Sequence, residues 1–119
     1  MALENTTWRL VGLFGGSAVD HSSLATAPIF LAFFADADGA LSIAGDGGCN
    51  RYKATYTADG GVLTIASLAS THKRGPTDVM VLEGRYLFAL GAATRYAEYG
   101  DSLVIIYPGG ELRFTRATR

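Results

Sequence analysis

Cys49 is the chain's one cysteine. It sits in a run, Gly45-Asp46-Gly47-Gly48-Cys49-Asn50-Arg51-Tyr52, that joins a nucleophile to a backbone free to bend. A thiolate needs a base to remove its proton and a third group to orient that base; His72, one of two histidines, is the candidate base and Asn50 the candidate orienting group. Two generic residues with no third at a fixed spacing are weak support for catalysis. A lone cysteine beside strands is far more often a small buried hydrophobe, and that is the role expected of Cys49. Glycines also permit positive φ, so Gly45 to Gly48 could aim several N–H groups at an anion. Neither a phosphate-loop lysine nor the dinucleotide spacing accompanies them, and a bulged crossing between strands is the preferred reading.

Asp36-Ala37-Asp38-Gly39 opens like a calcium loop, but Ala40 to Ala44 supply neither the third oxygen ligand nor the distal glutamate, so a hairpin turn is expected. One cysteine and two histidines give no closely spaced zinc set, and no cofactor is expected. Ser70-Thr71-His72-Lys73-Arg74-Gly75 gathers three basic or titratable side chains. A solvated loop is the default for so short a run, and a contact with an acidic partner or a headgroup is the sharper alternative. Asn5-Thr6-Thr7 has glycosylation spacing that matters only in a eukaryotic secretory setting.

Ten basic and eleven acidic side chains leave a formal net charge of −1, so nothing draws the chain onto nucleic acid, whose binding rests on neutralising many phosphates at once. The longest apolar run, Ala27 to Ala35, contains Pro28 and is about half of what a membrane-spanning helix needs. At 119 residues one domain is expected over 1–119, burying about 65% of its unfolded surface without disulfide or metal. The N-terminus shows no signal core before the first strand, so either the protein stays in the cytoplasm or a leader precedes these residues.

Strand patterns dominate the elements that would position these groups. Thr7 to Phe14 ends at Gly15-Gly16, and Ile29 to Ala35 is a continuous apolar run that reads as a fully buried strand. The Asp36–Gly39 turn returns it through Leu41 and Ile43, making a hairpin to about Ala44. Tyr52, Ala54 and Tyr56 alternate with Arg51, Lys53 and Thr55. After Ala58-Asp59-Gly60-Gly61, Leu63 and Ile65 share a face, and the chain loosens from Ala69 to Pro76. Arg95 to Tyr99, Leu103 to Tyr107 and Glu111 to Arg116 form a meander. Thr77 to Ala92 is ambiguous: Val79, Leu82, Tyr86 and Leu90 suit a helix capped by Thr77 or Asp78, and a hairpin about Glu83-Gly84 fits nearly as well. Eight or so short strands with frequent glycine turns predict a small antiparallel barrel or strongly curved sheet.

Thr7-Trp8-Arg9-Leu10, Gly48-Cys49-Asn50-Arg51-Tyr52, Tyr56, Leu68-Ala69-Ser70-Thr71, Glu83, Leu90 and Gly100-Asp101-Ser102-Leu103, in this order from Thr6 to Arg116, resemble the META domain family, the HslJ-like heat-shock and secreted-antigen proteins. Trp8, Gly48, Cys49, Asn50, Arg51, Tyr52 and Thr71 carry the match. The resemblance implies a mainly β domain with one α-helix packed on it, core about 6–116, and so makes Thr77 to Ala92 the helix. It implies no established enzymatic activity, and a bacterial envelope setting as a secreted or periplasmic protein or lipoprotein, with the cytoplasm as alternative. Many relatives have a second cysteine at the position of Gly75, paired with the equivalent of Cys49; its absence here leaves Cys49 free.

Two functions of different class follow. One is a non-catalytic, monomeric interaction module of the envelope or stress response that contacts a protein or envelope component through the loop His72, Lys73 and Arg74. The other is a barrel holding a small apolar ligand among Trp8, Tyr52, Tyr56 and Phe114. A Cys49-dependent hydrolase is a remote third.

Overall fold

Period-two alternation gives each strand one apolar face, and eight strands bury those faces together by closing into a single antiparallel barrel. The structure, a computed structural model, describes residues 3–15 and 20–117. The strands are β1 (Thr6–Phe14), β2 (Phe30–Ala35), β3 (Leu41–Asp46), β4 (Arg51–Asp59), β5 (Val62–Ser70), β6 (Arg95–Tyr99), β7 (Ser102–Tyr107) and β8 (Gly110–Arg116), with the helix α1 (Thr77–Gly91) and a 3-10 turn at Ser22–Ala25. Each strand pairs with its neighbour in sequence, and β1 closes on β8. The β5–β6 seam is short: one ladder pair, Val62 with Arg95, flanked by Leu63 N–H to Thr94 O at 3.0 Å and Tyr96 N–H to Gly61 O at 2.9 Å.

The chain between β5 and β6 forms α1, which packs on β5, β7 and β8 and buries Val79, Leu82, Tyr86, Ala89 and Leu90. Burying each larger apolar side chain stabilises by about 2 kcal/mol, against about 1 kcal/mol for Gly84 in the helix interior, so tertiary burial decides for helix. Tyr86 is fully buried, with its ring 5.7 Å from Tyr52 and 6.3 Å from Phe114. Gly45 is required where β3 passes β2, since a Cβ there would lie 1.9 Å from the Phe30 carbonyl oxygen and 2.6 Å from the Tyr52 hydroxyl. That clearance lets Tyr52 donate to the Phe30 carbonyl at 2.7 Å.

Several sequence expectations are corrected. The β2 strand is not fully buried: Leu31 and Phe33 face inward while Phe30, Ala32 and Phe34 are half-buried, because the outer wall of a closed barrel has no second layer over it among the described residues. The β5 strand does not loosen at Ala69 but runs to Ser70, past a bulge at Ser67, whose φ is 59°. Helix α1 takes Pro76 as its N-cap with no side-chain cap, so neither Thr77 nor Asp78 plays that part; Asp78 instead lies in the first turn, where its charge suits the helix dipole. The 3-10 turn was not anticipated, and Gly16 of the expected Gly15-Gly16 turn lies outside the described residues.

Candidate functional site

Between β3 and β4 the glycine run folds over the buried face of α1. Asp46 Oδ1 accepts from the Gly48 N–H at 2.9 Å, and Gly47 N–H donates to the Asn50 carbonyl at 2.8 Å. Gly48 has φ 111°, a conformation that strains any side chain, and a Cβ on Gly47 would stand 2.8 Å from Glu83 Oε2. This close approach lets Glu83 fill the nest of N–H groups: Oε2 accepts from Cys49 N–H at 2.9 Å and Asn50 N–H at 2.6 Å, and Oε1 accepts from Asn50 Nδ2 at 2.8 Å. The anion in this glycine loop is the protein's own carboxylate. Glu83 and Asn50 are 4% and 3% exposed, so each of these bonds spares a buried polar group a penalty of about 1–3 kcal/mol.

Asn50 then fixes the loop after β5. Its Nδ2 also donates to the Lys73 carbonyl at 3.1 Å, while its Oδ1 accepts from Thr71 Oγ1 at 2.8 Å and Lys73 N–H at 2.6 Å. A side-chain amide has two donor and two acceptor positions, and all four are used. Thr71 completes the tie by accepting from Arg51 N–H at 3.2 Å through Oγ1 and by giving its own N–H to the Arg51 carbonyl at 2.9 Å. The loop backbone is thus bonded at Thr71 to Arg51 and at Lys73 to buried Asn50, while the side chains of His72, Lys73 and Arg74 are exposed.

The structure brings Cys49, Asn50, Arg51 and Thr71 of the motif together with the His72–Arg74 loop; Trp8 and Tyr52 lie in the core instead. Cys49 is half-buried rather than buried as expected, because its Sγ looks out at the loop, 3.5 Å from the Lys73 carbonyl. A Cβ on Gly75 would stand 2.8 Å from that sulfur. Asn50 has no bonding position left with which to orient the His72 imidazole. Asp36 Oδ1 accepts from Asp38 N–H at 2.9 Å and Ala40 N–H at 3.0 Å, closing its own hairpin turn. Trp8, Tyr52, Tyr56 and Phe114 are all buried and fill the barrel interior themselves.

Glu83 is the site residue that sequence reasoning passed over as a role. The signal was present: it falls between Leu82 and Tyr86 on the stripe that also holds Val79 and Leu90, and a charged residue on an apolar helical face needs a buried partner. Among the described residues no group of three or more His, Cys, Asp or Glu side chains is placed to hold a metal, and no helix is long and apolar enough to cross a membrane.

The family model described as META domain matches residues 1–119. Among solved structures, the chain is similar to a protein from Burkholderia xenovorans, with 29% identity and a TM-score of 0.80 over 98% of this chain and 85% of that one. A DUF4847 family protein from Bacteroides vulgatus shares the fold at 17% identity and a TM-score of 0.63, over 98% of this chain and 96% of that one. A further solved protein does so at 18% and 0.69, over 95% and 90%. No curated protein matches the sequence.

Proposed function

The chain belongs to the META domain family, and from that premise we propose that it is a non-catalytic interaction module, working as a monomer in the bacterial envelope or as a secreted protein, whose loop His72, Lys73 and Arg74 contacts another protein or an envelope component. The observation that carries this reading is the bonding of the loop backbone to Asn50, with Lys73 N–H and C=O both held by one buried amide that Glu83 holds in turn. A loop fixed before it meets a partner loses less conformational entropy on binding, so exposed charged side chains on it are more useful for recognition than the same side chains on a floppy loop. The apolar-ligand reading loses its support, since the four aromatic side chains it needs at a barrel mouth are core residues.

The test is capture of partners from envelope extract by the wild-type protein and by a variant with His72, Lys73 and Arg74 all changed to alanine, after checking that Tm is unchanged. Loss of the specifically captured proteins in the variant is the expected result. An unchanged set would remove the loop as the contact surface, and turnover of an ester or peptide abolished by Cys49→Ala would overturn the non-catalytic reading.

A further inference from the structure

The exposed loop is continuous with a groove on the outer wall of the barrel. Ala44, Arg51, Lys53, Ala69, Ser70 and Thr71 line a depression of about 360 Å³. Lys53 lies opposite Ala44 in β3 and opposite Ala69 in β5, so methyl groups make the floor on both sides of it. Arg51 and Lys53 are outward and exposed. Among the described residues the ion pairs, Arg113 with Glu111 and Arg116 with Glu98, involve neither, nor Lys73 or Arg74. In a chain of formal net charge −1, these four cations therefore gather at one end of the β4–β5 hairpin.

Three carboxylates lie around them, and Asp46 stands on the same outer face as Arg51, its direct partner across the β3–β4 ladder. Asp46, opposite Arg51, lines the neighbouring groove and accepts from Gly48 N–H; Asp36 lines the groove on the other flank of Lys53; Glu83 is buried beneath the loop. The lining of the groove itself holds two cations and no carboxylate.

Resting on the reading of the loop as a contact surface, we propose that this groove takes an extended acidic segment of a partner protein, with carboxylates at alternate positions. Arg51 and Lys53 are two residues apart on one strand face, about 7 Å, and alternate side chains of an extended segment have the same spacing. A segment lying along β4 meets both cations with two carboxylates, lays the methylenes of those acidic side chains over Ala44 and Ala69, turns its intervening side chains to solvent, and runs on towards Lys73 and Arg74. Pairs this exposed are individually weak, so the contact is salt-sensitive and depends on several of them together.

The probe is a fluorescein-labelled peptide, Glu-Ala-Glu-Val-Glu-Ala-Glu-Val, compared by anisotropy with a block permutation of the same composition. Wild-type protein binds the alternating peptide better than the block peptide, and added salt weakens binding. Arg51→Ser with Lys53→Ser weakens it by about tenfold, the loss of two exposed charge contacts. Ala69→Tyr, which fills the groove without changing charge, weakens it as well, at unchanged Tm. If the alternating peptide binds but only the His72, Lys73 and Arg74 alanine variant loses it, the groove is overturned and the loop reading stands. Equal binding of both peptides, no binding of either, or binding only to vesicles containing phosphatidylserine each overturns the groove proposal, and capture from extract then judges the loop by itself.

Discussion

Glu83 Oε2 and the Asn50 amide are 2.6 Å apart, and with the 2.8 Å bond from Asn50 Nδ2 to Oε1 the carboxylate and the asparagine clasp each other inside the protein. That clasp joins α1 to the β3–β4 loop, and through Asn50 to the loop after β5. Removing either partner strands donors or acceptors that water does not reach. Glu83→Ala and Asn50→Ala should each cost about 3 kcal/mol in urea unfolding. The double variant should cost less than the sum by on the order of 1–3 kcal/mol. Simple additivity would mean that the two residues act independently.

Gly75 predicts a disulfide by substitution. A Cβ there lies 3.4 Å from Cys49 Cβ, close to the separation of about 3.8 Å found in disulfides. Oxidised Gly75→Cys should show no free thiol when denatured, where the wild type shows one per chain, and should gain about 3 kcal/mol from the closed loop. Two free thiols after air oxidation would contradict the geometry around Cys49.

The hydroxyls of Tyr52 and Tyr86 are 2.6 Å apart; Tyr52 donates to the Phe30 carbonyl, so Tyr86 donates to Tyr52. Burial pushes both phenols above the usual tyrosine range, in Tyr52 with a further push from Tyr86. Folded-state values above the unfolded value of about 10 mean that their contribution to stability is complete below pH ~10 and lost as pH rises through the folded values. Absorbance titration should show Tyr52 and Tyr86 ionising only with unfolding. Tyr86→Phe should remove one of the late phenols. Ionisation of Tyr52 and Tyr86 while the protein stays folded would contradict this.

Along α1, Leu82 is 1% exposed and Phe88 75%. Leu82→Ala should cost about 2–5 kcal/mol and Phe88→Ala within about 0.5 kcal/mol, read from chemical denaturation. Equal costs would mean that the helix faces the barrel with a different side.

How much of this was legible in the sequence depended on whether the deciding physics was local. The alternation of Tyr52, Ala54 and Tyr56 with Arg51, Lys53 and Thr55 gave β4 its faces at once, because the strand period is local. Periodicity does not separate a helix from a hairpin over Thr77 to Ala92; the burial of Val79, Leu82, Tyr86 and Leu90 against strands far away in sequence decides it. The half-exposed outer side of β2 and the continuation of β5 past its bulge are properties of closure, which no single strand encodes. Within the site, the residues that cluster about Cys49 were legible as a motif. Their task was not, since the four bonds of Asn50 reach Thr71, Lys73 and Glu83 across 21 to 33 positions.

The central claim is that the motif holds the His72–Arg74 loop in place rather than performing chemistry, and amide hydrogen exchange tests it most directly. Lys73 N–H donates to buried Asn50 Oδ1 at 2.6 Å, while its neighbours His72 and Arg74 are exposed. The Lys73 amide should exchange about 100-fold or more slowly relative to its intrinsic rate, approaching the strand amides, and Asn50→Ala should abolish that protection in a protein that remains folded. If the wild-type Lys73 amide exchanges as fast as a free loop, the loop is not held and the account fails.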